Sequence, residues 1–108
     1  MTIFQKEYTA FIEKQDILLT KQREYEHSCR EILLAQIVKL TEETGEVADA
    51  VLKSLNEQRE EKYYDDKSTD LGAELADVII VCSLLAKTAN IDMDTALKNK
   101  MNEISKRG

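Results

Sequence analysis

The stretch Leu40-Thr-Glu-Glu-Thr-Gly-Glu46 places Glu43 and Glu46 one helical turn apart inside an apolar run, and Glu74-Leu-Ala-Asp77 repeats the spacing further on. Residues three apart on a helix point to nearly the same side, so each pair can aim its oxygens at one spot. Outward from the first pair, a helical stripe runs through Leu33, Ile37, Leu40, Thr44, Val47 and Val51; around the second it runs through Leu71, Leu75, Val78, Cys82, Leu85 and Ala89. At ~100° per residue, Glu43 and Glu46 lie roughly 80° and 140° round from the first stripe's centre, and Glu74 and Asp77 roughly 60° and 120° round from the second in the same sense. A two-fold axis relating antiparallel neighbours carries one flank onto the same flank. All four carboxylates are therefore expected on one side of a helical hairpin, and Glu42 on the far side of its helix. Such an oxygen-only ligand set suits Mg²⁺, with Mn²⁺ as the alternative. A solvated acidic face explains any single Glu-x-x-Glu, but not a second pair that interrupts an apolar helix on the matching flank. Gly45, between the first two ligands, costs ~1 kcal/mol in a helix interior relative to alanine and is expected to make room for a close neighbour or ligand.

The rest of the composition agrees with helices. The 108 residues bound one domain with a single core, spanning 1–108, and the absence of proline with only three glycines favours long helices over turn-rich β folds. The expected class is all-α. A net charge of −6 argues against nucleic acid as a partner, since phosphate backbones call for clustered Lys and Arg. Two cysteines, Cys29 and Cys82, and the lack of a leader pattern fit a reducing cytoplasm; no apolar run has membrane-spanning length. Cys82 lies in an apolar stripe and reads as core packing.

In chain order, Thr2 and Gln5 have capping-box spacing, and Phe4, Tyr8, Phe11, Ile12, Leu18 and Leu19 follow at helical spacing, predicting a helix over about 3–19. The aromatic stripe reads as core rather than a base-stacking platform. Residues 20–30 are polar, either a loop or a solvated helical stretch. A second helix is predicted from Glu31 to about Leu55, and a charged, exposed loop over 56–66. Ser68, Thr69 and Asp70 are candidate N-caps for a third helix to about Ala89; Asn90 is a stop and Asp92 caps the last helix. The third helix is apolar almost all round at Val78–Ala86, so a subunit interface is the simplest cover, and a homodimer or dimer of dimers is expected. Glu24-x-x-His27 has the spacing of a di-iron ligand pair, but such a bundle needs two, and the chain has one histidine. His27 reads as a surface residue, and Tyr63 or Tyr64 is a candidate to fold over a ligand.

Lys39-Leu-Thr-Glu-Glu-Thr-Gly-Glu-Val47, Gly72-Ala-Glu-Leu-Ala-Asp-Val78, Asn90-Ile-Asp-Met-Asp-Thr-Ala-Leu97 and Lys100 together resemble the MazG-type all-α nucleoside triphosphate pyrophosphohydrolases over roughly residues 35–107. The resemblance implies a four-helix MazG-like bundle completed by oligomerisation. It also implies Mg²⁺-dependent hydrolysis of a (deoxy)nucleoside triphosphate to the monophosphate and pyrophosphate, with Glu43, Glu46, Glu74 and Asp77 as metal ligands and catalytic residues. The family's last helix typically carries a Lys, an Asn four residues on and a basic residue three beyond; here these positions hold Lys100, Ile104 and Arg107. Lys100 and Arg107 are thus candidate phosphate contacts. So is Lys39, one turn before Glu43, for which a plain ion pair with Glu43 is the competing role. No residue is assigned to the base. A related metal-dependent phosphohydrolase acting on another phosphorylated metabolite, and a non-catalytic helical interaction module, are the alternative readings.

Overall fold

The computed structural model describes residues 5–23, 29–57 and 70–107, with side chains at 6–19, 29–55 and 70–107. They form four helices: α1 Gln5–Arg23, α2 Cys29–Glu57, α3 Leu71–Thr88 and α4 Met93–Arg107. No strand is present among the described residues, and the all-α, MazG-like bundle expectation holds. α1 runs a turn beyond its expected end at residue 19, because Thr20–Arg23 contain no breaker and continue the helix as a polar stretch. α2 exceeds the expected Glu31–Leu55 by two residues at each end. The capping pair at Thr2, the 58–66 part of the charged loop, His27, Tyr63, Tyr64, Ser68 and Thr69 lie outside the described residues.

The turn chemistry fixes where α3 begins and ends. Asp70 is its N-cap, with extended backbone (φ −117°, ψ 101°) and a carboxylate that accepts from the Ala73 amide at 3.1 Å. A Cβ on Gly72 would lie 3.2 Å from that cap oxygen, so glycine leaves the cap room. At the other end Asn90 takes a left-handed φ of 59°. Its amide bonds the Lys87 carbonyl at 3.1 Å, and the Ile91 amide bonds the Ala86 carbonyl at 2.8 Å. This is the paired closure expected of a left-handed residue just past a helix end. Asp92 then caps α4, accepting from the amide and hydroxyl of Thr95 at 3.2 and 3.1 Å.

α3 lies between α1 and α2. The Tyr8 hydroxyl of α1 bonds the Ile79 carbonyl at 3.2 Å and the Ser83 hydroxyl. The Gln36 amide of α2 donates to the Thr88 hydroxyl at 2.8 Å. Pairing Gln36 with the Thr88 end of α3, while Glu43 meets Asp77, makes α2 and α3 antiparallel. Among the described residues, full burial is confined to Ile12, Ala50, Ala86 and Gln36. The face of α2 against α3 follows Gln36, Leu40, Glu43, Val47 and Ala50, turned about 60° at ~100° per residue from the expected stripe toward the carboxylates. Ile37 and Val51, expected inside, are exposed. The reason is that α2 is apolar on two faces, and a helical wheel averages the one packed on α3 with the one left open. No described helix is long and apolar enough to cross a membrane.

Candidate metal centre

The antiparallel register of α2 and α3 brings Glu43 together with carboxylates more than thirty residues on in the sequence. Glu43, Glu74 and Asp77 each offer an oxygen, and these oxygens all lie within 4.8 Å of one another. Because the packed face of α2 is turned toward the acidic flank, Glu43 lies near the helix seam, its side chain only 12% exposed. Glu74 is half-buried, while Asp77 and Glu46 are exposed. Glu46, expected as the fourth member, stands outside the group of three but acts on it by charge.

The electrostatics are those of a strained acidic cluster. Partial burial first, then the charges of Glu46, Asp77, Glu43 and Asp70, hold the Glu74 carboxyl above its usual range. Among the described residues a cation stands against them. Lys39 lies 3.2 Å from Glu43. The bond to Glu43 and its charge, followed by the charge of Glu42, push the lysine up, with a smaller push from Asp77. Lys39 thus stands beside the cluster, in the ion pair expected as its competing role. Lys100 and Arg107 do not. Both bind Glu103 within α4, at 3.1 and 2.7 Å, and α4 makes few contacts with the other helices.

The donor set fits a divalent cation. Three oxygen donors from two rigid helices converge, with no described nitrogen or sulfur ligand among them, which is the chemistry of a hard ion. A cation there would also relieve the repulsion that raises Glu74. Sequence reasoning missed Gln36, which lies two turns before Glu43 on the same packed face of α2, and whose buried Oε1 has no partner. A polar residue in phase with Glu43 was the available signal. The model of the MazG nucleotide pyrophosphohydrolase domain matches residues 33–108, more than half of the chain and the part that holds every carboxylate above. No curated protein and no solved structure matches the chain significantly.

Proposed function

The chain belongs to the MazG nucleotide pyrophosphohydrolase family, and on that premise we propose that it hydrolyses a nucleoside or deoxynucleoside triphosphate to the monophosphate and pyrophosphate. The observation that carries this is the convergence of Glu43, Glu74 and Asp77 from two helices within the matched residues. These three, joined by Glu46, would hold Mg²⁺, or Mn²⁺ in its place. When bound, the ion supplies neutralisation of the triphosphate charge and acidity for a water molecule.

The chain's own groups do the rest. Lys39 meets a phosphate oxygen by exchanging its Glu43 contact, and Lys100 and Arg107, once freed from Glu103, hold the outer phosphates. Water adds to phosphorus, the bond bridging the α and β phosphates breaks, and pyrophosphate leaves with the bridging electrons. The water proton passes to solvent at the open side of the cluster, where Glu46 and Asp77 are exposed. No protein nucleophile takes part. Residues 1–108 act as one domain, and removal of unwanted nucleotides is the role that suits such a reaction.

A panel of the eight common NTPs and dNTPs, with products separated by ion exchange, tests this reading. Monophosphate and pyrophosphate in equal amounts are expected with Mg²⁺. Orthophosphate as the primary product would point to a different phosphohydrolase, and no turnover together with no calorimetric Mg²⁺ or Mn²⁺ binding would point to an interaction module.

A further inference from the structure

Lys39 already holds one of the three converging carboxylates. Its ammonium stands 3.2 Å from Glu43 Oε1, with the Glu43 side chain 12% exposed and the lysine 58%. The charge of Asp77, across the seam on α3, acts on the same ammonium. A positive charge from within the chain therefore leans on the group whose oxygens lie within 4.8 Å of one another. Lys53, the other lysine of α2, forms a pair of similar length, 3.1 Å, but with Asp49, which is outside that group.

An ammonium and a divalent ion compete for one carboxylate. While Lys39 stays, an arriving cation meets a like charge and a donor oxygen that is already engaged. The Coulomb energy scales with the product of the charges, so a divalent ion feels this repulsion twice over. The two members of the pair differ in their freedom to part. The lysine is largely exposed, and an exposed ion pair of this spacing contributes little to stability, so its side chain leaves at small cost. Glu43 is held at the helix seam and stays where it is.

We propose that Lys39 is a built-in competitor for the metal, one that neutralises Glu43 before a cation arrives and lowers the affinity for a cation arriving alone. This rests on the reading of Glu43, Glu74 and Asp77 as a metal centre and goes beyond it. A triphosphate that draws Lys39 onto a phosphate oxygen removes the competitor, so nucleotide and metal strengthen each other's binding, each by the same factor. The chain then holds metal firmly when substrate is present and loosely when it is not.

Mn²⁺ binding to the full chain, followed by calorimetry and by loss of the free-ion paramagnetic resonance signal, tests this without reference to turnover. Lys39→Met should bind Mn²⁺ alone about 10-fold more tightly than wild type. Lys39→Arg keeps the charge and should stay near wild type. Lys53→Met removes an equal charge from the same helix and should shift the affinity by no more than about twofold, because a solvated charge further off is screened. An α,β-methylene triphosphate cannot release pyrophosphate and serves as the nucleotide probe. At saturation, after correction for Mn²⁺ on the free analogue, it should raise Mn²⁺ affinity about 10-fold more in wild type than in Lys39→Met. Equal Mn²⁺ affinity in wild type and Lys39→Met, a tightening that Lys53→Met reproduces, or an equal gain with the analogue in both proteins would overturn the competitor while leaving the metal centre in place. No Mn²⁺ binding in any of the four proteins, with the analogue or without it, would remove the centre and this proposal with it.

Discussion

Glu42 and Glu43 are neighbours of identical chemistry with different surroundings. Glu43 is nearly enclosed and shares its site with Glu74 and Asp77, whereas Glu42 is exposed and outside that group. Glu43→Gln keeps size but removes a charge and a hard donor, so metal affinity and turnover should fall together by at least the 10-to-100-fold typical of ligand-shell losses. Glu42→Gln should stay near wild type. Calorimetric Mn²⁺ titration beside a rate assay checks both, and the opposite outcome would mean that the wrong face of α2 has been assigned. Glu74 adds a pH dependence. Its carboxyl is raised in the folded protein above its unfolded value, so the native state binds the proton more tightly. Without metal, stability must then rise as pH falls toward the folded pKa and decline as pH rises through it. In chelator near pH 7, Glu74→Gln should therefore melt above wild type, and the gap should narrow as the buffer is acidified. A gap that widens on acidification would contradict the assigned direction.

At the scale of elements, the caps were the most legible feature of the sequence. Asp70, Asn90 and Asp92 stand where their side-chain chemistry placed them, because a cap is a local interaction spanning three or four residues. Asp70→Ala should cost about 1 kcal/mol. On a two-state thermal melt that is a shift of roughly 4–8 °C. The phase of α2 was harder to read. Its apolar residues cover two faces, and only tertiary contact decides which one meets α3. Glu43 was placed on the correct flank, but its closeness to the seam and its partnership with Lys39 depend on that phase. Gly45→Ala meets open space among the described residues and should gain up to ~1 kcal/mol of helix propensity, read as a raised melting temperature.

For the whole molecule, the sequence stated that the chain is helical, acidic and built around paired carboxylates, and it named three of the residues that converge. What periodicity does not contain is how far the helices close on one another. The radius of gyration is 17.2 Å, where a compact domain of this length would have about 13 Å. α4 accordingly stands apart, with Lys100 and Arg107 engaged on Glu103 rather than near the acidic centre. Family resemblance placed those two cations at the phosphates, and bringing them there needs a rearrangement of side chains or helix that sequence cannot supply. An acidic protein and a triphosphate repel each other, so nucleotide binding should require divalent metal and vanish in excess chelator. The most direct measurement of the central claim is the pyrophosphate released per monophosphate formed from one (d)NTP, compared for wild type, Glu42→Gln and Glu43→Gln with Mg²⁺ and with chelator. Equal amounts of the two products from wild type and Glu42→Gln, lost in Glu43→Gln and in chelator, are predicted; orthophosphate as the primary product, or pyrophosphate release that survives Glu43→Gln and chelation, would contradict the account.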